Sequence, residues 1–86
     1  MNWWVYMIEA DDGSLYTGVT TDIARRFREH CGSRVGARFF AGRQPLGVVF
    51  LELQPGRGPA LQREAAIKKL KRPEKLKLRQ QALYYR

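Results

Sequence analysis

Apolar residues run almost unbroken through "WWVYMIE", Trp3–Glu9, and their aromatic and β-branched character predicts a strand. Apolar side chains at nearly every position place that strand at the centre of a sheet. A polar break, "ADDGS", carries Asp12-Gly13 and predicts a turn. "LYTGV", Leu15–Val19, then predicts the returning strand of a hairpin. In "TTDIARRFREHCG" the period changes. Ile23 and Phe27 stand four apart and predict the buried stripe of a helix, with Thr21 or Asp22 as N-cap and Gly32 just past its end. Ser33 is expected to cap a short helix through Phe40, ended by Gly42 and Pro45. "LGVVFLELQ", Leu46–Gln54, predicts a third strand and "PGRGP" a loop. "ALQREAAIKKLKR" predicts a helix with Pro59 at its start, and Pro73 separates it from a last helix over "EKLKLRQQALYYR".

The chain carries no repeat or linker, so one domain over residues 1–86 is expected, of the α/β (α+β) class, a small three-stranded sheet flanked by helices. The pattern leaves the direction of the third strand open. It also leaves the hairpin register open. A two-residue Asp12-Gly13 turn puts Tyr6 and Tyr16 on opposite faces. A three-residue Asp11-Asp12-Gly13 loop sets Tyr6 against Gly18 and puts both tyrosines on one face, with Gly13 in the left-handed position such a loop needs.

Charge sharpens the picture more than composition does. The net charge is +8. Residues 1–24 hold Glu9, Asp11, Asp12 and Asp22 and no Lys or Arg, so they carry −4. Residues 25–86 hold all 16 Lys and Arg against Glu29, Glu52, Glu64 and Glu74, leaving +12. That asymmetry points to a polyanionic partner, nucleic acid above all. The single cysteine, Cys31, excludes an internal disulfide and a thiolate metal cluster, and a reducing, cytoplasmic setting is expected. No apolar run approaches the roughly 20 residues of a membrane span, and no membrane partner is expected. A monomer is assumed.

Within this frame a few residues stand out. Arg26 and His30 are four apart and share one helix face, while Arg25 is turned from Arg26 by about 100°. An arginine there can hold a phosphate oxygen, and a histidine can move a proton. Their plainer reading is a solvated helix face. Tyr6, Tyr16 and Gly18 are most simply sheet packing and a close backbone approach. Glu64 has a hard oxygen donor suited to Mg²⁺, and its plainer reading is an exposed pair with Lys68. Trp3, Tyr84 and Tyr85 are the aromatics left for a protein partner, with packing again the plainer reading.

Taken together and in order, "WVY" at Trp4–Tyr6, "YTG" at Tyr16–Gly18, "DIARRFREH" at Asp22–His30 and the later "REAAIKKLK" resemble the GIY-YIG nuclease superfamily, most of all its small single-domain bacterial members. The first triad keeps only its tyrosine, and the second keeps its tyrosine and glycine. The resemblance implies an antiparallel sheet flanked by helices and a metal-dependent DNA endonuclease, using Mg²⁺ or Mn²⁺, with a role in DNA repair or recombination. DNA is the implied partner, and RNA stays open. Carried over by position, Tyr6, Tyr16, Arg26 and His30 are the implied catalytic residues and Glu64 the metal ligand. Gly18, Arg25 and Lys68 are assigned to substrate binding. In that scheme Tyr6 orients the attacking water and, as phenolate, takes its proton. The rival reading is a basic nucleic-acid-binding module without catalysis.

Overall fold

The computed structural model describes residues 2–32 and 38–82. Strands β1 (Trp3–Ala10), β2 (Leu15–Thr20) and β3 (Pro45–Gln54) form one sheet in the order β2-β1-β3, with both pairings antiparallel. The central strand is the one whose apolar run is least interrupted, because it alone is covered on both edges and both faces. Helix α1 (Ile23–Gly32) follows β2, and α2 (Arg57–Lys68) and α3 (Arg72–Ala82) follow β3.

Alternation along β1 builds two cores. Val5 and Met7 point to one face and join Phe50, Ala60 and Ile67, with Trp3, Val19, Val49 and Leu78 packed around them. Tyr6, Ile8 and Ala10 point to the other and join Phe40, with Tyr16, Ile23, Phe27, Phe39 and Val48. α2 and α3 therefore cover the first face and α1 the second. Each fully buried side chain such as Ile8 or Ile67 contributes about 1.5–3 kcal/mol of transfer free energy.

The hairpin takes the three-residue loop. The Ala10 N–H donates to the Ser14 carbonyl at 2.9 Å, the Gly13 N–H donates to the Ala10 carbonyl at 2.9 Å, and Gly13 has φ +85°. The Ser14 N–H also donates to Asp12 Oδ1 at 3.0 Å, the Asx geometry that favours this turn. Tyr6 consequently stands opposite Gly18. The loop is tied to the entry of β3, because the Asp11 N–H donates to the Gln44 carbonyl at 2.9 Å and the Gln44 N–H to Asp11 Oδ1 at 3.1 Å.

Asp22 is the N-cap of α1: its Oδ1 accepts from the Arg25 N–H at 3.0 Å, and Gly32 is the last helical residue rather than the one beyond it. The expected helix from Ser33 lies mostly outside the described residues, and Arg38–Phe40 is a single 3-10 turn. Pro45 opens β3, where its missing N–H costs the ladder nothing. The loop expected at "PGRGP" is shorter than read. α2 starts at Arg57, with Gly58 and Pro59 inside its first turn, where backbone N–H groups have no partner inside the helix. α3 likewise starts one residue before Pro73. Trp3 packs into a core, and Tyr84 and Tyr85 lie outside the described residues. No helix among the described residues is long and apolar enough to cross a membrane.

Candidate functional site

The α1 face of the sheet carries hydroxyl, imidazole and guanidinium groups inside its aromatic packing. Tyr6 and Tyr16 share this face, with ring centroids 6.2 Å apart. Gly18 makes room for them: a Cβ built there falls 2.5 Å from the Tyr6 hydroxyl oxygen and 3.1 Å from a Tyr16 ring carbon. Any side chain at Gly18 would push both rings away. Tyr16 also packs edge-on to His30, at 5.1 Å, and against Phe39 and Phe40.

His30 reaches this cluster from α1. It is 5% exposed, so the solvated helix face anticipated as the plainer reading is not what forms. Its position explains why. His30 lies seven residues after Ile23 and three after Phe27, so it belongs to the same buried stripe. The Tyr6 hydroxyl lies 3.0 Å from His30 Nε2. Burial first, and then the neighbouring Arg26 charge, lower the His30 pKa to about 4, and Glu29 opposes them. His30 is therefore neutral near pH 7, and its Nε2 can accept from the Tyr6 O–H.

The Tyr6 pKa is pushed up to about 12, chiefly by burial, with Tyr16 and Glu64 adding to the rise. Arg26 works the other way, through a hydrogen bond to the Tyr6 hydroxyl and through its charge. Arg26 Nη1 also donates to Glu29 Oε1 at 2.9 Å, with both side chains about three-quarters covered. In the free protein the expected phenolate is not favoured. Tyr6 is 1% exposed and keeps its proton, because burial outweighs the stabilisation that Arg26 gives the anion.

Glu64 occupies the stripe of α2 that also holds Ala60 and Ile67, both buried. Its side chain is 17% exposed, and Lys68 Nζ sits 3.2 Å from its Oε2. The anticipated pair thus forms, but the carboxylate is well covered and its charge is felt at Tyr6. Lys68, assigned to substrate, pairs with Glu64 in the free protein, and its side chain is about half exposed. Arg25 is exposed on α1, and its backbone N–H serves the cap. The structure so gathers Tyr6, Tyr16, Gly18, Arg26 and His30 tightly, with Glu64 within electrostatic reach. Sequence reasoning missed Glu29 as the partner of Arg26, although its i,i+3 spacing was a readable cue.

Among the described residues no group of three or more His, Cys, Asp and Glu side chains gathers into a metal cage. One covered carboxylate still fits a hard cation of the Mg²⁺ kind, which keeps several waters and takes further oxygens from a phosphate.

Comparison with known proteins shows the family and the fold. The GIY-YIG catalytic domain matches residues 2–77. UPF0213 protein DP2720 of Desulfotalea psychrophila is 48% identical over 79% of this chain, and the match spans 62% of that relative's length. A UPF0213 protein of Syntrophus aciditrophicus is 43% identical, covering 87% of this chain and 86% of its own. Among solved structures, the solution NMR structure of the UPF0213 protein BH0048 from Bacillus halodurans superposes with a TM-score of 0.57 at 41% identity, covering 91% of this chain and 82% of that one.

Proposed function

The chain belongs to the GIY-YIG catalytic domain family, and from that premise we propose that it is a divalent-metal-dependent endonuclease that hydrolyses phosphodiester bonds of DNA. The observation that best supports this is the gathering of Arg26 and His30 on the Tyr6 hydroxyl, with Glu64 near enough to oppose its ionisation. The family implies the reaction, and these groups are the kind the reaction needs.

Phosphodiester hydrolysis requires a deprotonated water, relief of the charge that builds on phosphorus, and an escape for the leaving oxygen. Glu64 would hold Mg²⁺ or Mn²⁺ in exchange for Lys68, and the cation supplies positive charge beside the phosphate and the leaving oxygen. Arg26 would offer its guanidinium to a non-bridging oxygen. As the water attacks phosphorus, its proton moves to the Tyr6 oxygen while the Tyr6 proton moves to His30 Nε2. The phosphorus bond to the leaving oxygen then breaks, its electron pair stays on that oxygen, and the oxygen takes a proton from solvent water. In the free protein Arg26 depresses the basicity of His30. An incoming phosphate neutralises that charge, so His30 becomes a better base when substrate is bound. Tyr16 holds the Tyr6 and His30 rings in place, and Gly18 leaves space for them. Arg25 lies on the exposed side of α1, where it can meet a neighbouring phosphate. Repair or recombination is the process such an activity would serve.

The test is cleavage of a panel of duplex, nicked, flap and branched DNA in Mg²⁺ and in EDTA, with Glu64→Gln beside wild type. Product that requires both metal and Glu64 is the expected result. Binding that weakens steeply with salt, with no metal-dependent product, would leave a basic binding module in place of the nuclease.

A further inference from the structure

Two large apolar side chains on the site's side of the sheet stay open to solvent, with a tryptophan half-covered beside them. Across β1 and β3, Tyr6 pairs with Leu51 and Trp4 with Leu53. Paired residues share a face. Leu51 and Leu53 therefore stand on the Tyr6 side, 40% and 52% exposed. Trp4, Leu51 and Leu53 belong to neither buried core. They form an apolar patch at the sheet's edge, and adjacent strands about 4.8 Å apart put Leu51 directly beside Tyr6. Between the two leucines, Glu52 turns to the opposite face, where Arg63 holds it at 2.9 Å. No β3 carboxylate therefore guards the patch against a polyanion.

The net charge of +8 decides between occupants. A second copy would bring like charges together. A nucleic acid joins what this surface lacks and offers: phosphates for the cations, and flat apolar bases for the patch. A duplex keeps its bases stacked inside. A single strand, a flap or a frayed end presents base faces that lie on apolar and aromatic side chains. We propose that Trp4, Leu51 and Leu53 form a platform for an unpaired base next to the phosphate held at Tyr6 and Arg26, so that the preferred substrate has single-stranded character there. The platform rests on the nucleic-acid reading of the adjoining site.

The test is fluorescence anisotropy in EDTA with a short oligothymidylate and an abasic oligomer carrying the same phosphates. Wild type should bind the base-bearing strand about tenfold more tightly, as one stacked base warrants. Leu51→Ser/Leu53→Ser should erase that preference and leave affinity for the abasic strand unchanged. The single Leu53→Ser, at the more exposed of the two positions, should reduce it in part. Equal preference in wild type and double variant overturns the platform, and so does a wild type that ignores bases. A wild-type dimer that the double variant dissociates, with base preference intact, shows a self-interface instead. Leucine-dependent binding to anionic vesicles without base preference shows a lipid surface instead. No cleavage is needed. Base preference without nuclease activity removes only the catalytic reading, and cleavage without base preference removes only the platform.

Discussion

The two faces of β1 differ in what they bury. One face meets α2 and α3 through Val5, Met7, Phe50, Ala60 and Ile67, with no titratable group in that core. The other meets α1 through Tyr6, Ile8, Ala10 and Phe40, and the Tyr6 hydroxyl and His30 imidazole are buried there as well. β1 buries side chains on both faces, so burial alone does not mark function. What separates them is that the second core buries a hydroxyl and an imidazole 3.0 Å apart, and that this burial pushes the Tyr6 pKa up and the His30 pKa down. The first face holds the fold together. The second does that and also buries the titratable pair Tyr6 and His30.

The sharpest way to test this division is to remove the polar groups that act on Tyr6, from its own face and, at Glu64, from α2. Tyr6→Phe and Glu64→Gln should each lower metal-dependent cleavage by about 10²–10³-fold, the scale of one lost transition-state contact. Arg26→Ala should do the same. Thermal melts of Glu64→Gln should stay close to wild type, because the amide keeps the volume, whereas Tyr6→Phe should cost about 1–3 kcal/mol by taking the hydroxyl partner from buried His30 Nε2. A truncation on the first face should behave in the opposite way. Ile67→Ala leaves a cavity beneath α2 and should cost about 2–5 kcal/mol in denaturant unfolding. Its cleavage rate, measured where it is still folded, should be unchanged.

Acid should also separate the faces. His30 has a folded pKa near 4 against 6.5 when unfolded, so between those values the unfolded chain binds more protons. Stability from the neutral, buried His30 is complete above pH 6.5 and is lost as pH falls towards 4. The loss should reach up to about 3 kcal/mol, read as the difference between wild type and His30→Gln in urea melts across that window. Gly18 tests the same face through packing. Gly18→Ala should cost about 1–3 kcal/mol through overpacking against Tyr6, and it should reduce activity by displacing the hydroxyl from His30.

Much of this was legible from residue patterns. The unbroken apolar run of Trp3–Ile8 marked the central strand, and Asp11-Asp12-Gly13 offered the loop that aligns the tyrosines. The spacing of Arg26 and His30 named the arginine that reaches the Tyr6 hydroxyl. The harder parts share one cause: a polar residue on an apolar stripe. His30 follows Ile23 and Phe27, and Glu64 sits between Ala60 and Ile67, so a helical period alone assigns neither to solvent. Whether such a group is covered depends on what the sheet brings against it, and Tyr6 and Gly18 come from strands remote in the chain. The start of α2 was misread because Gly58 and Pro59 suggest a loop, whereas a first helical turn tolerates both. The exposure of Leu51 and Leu53 was hidden for a similar reason, since an apolar strand does not reveal which of its faces a helix will leave bare.

The most direct measurement of the central claim is single-turnover cleavage of a flap DNA by wild type and by Glu64→Gln, each titrated with Mg²⁺. The account predicts a wild-type rate that saturates with Mg²⁺ and a variant slower by about 10²–10³-fold at the same protein fold and DNA affinity. A variant that cuts as fast as wild type, or a wild type equally active in EDTA, would contradict it.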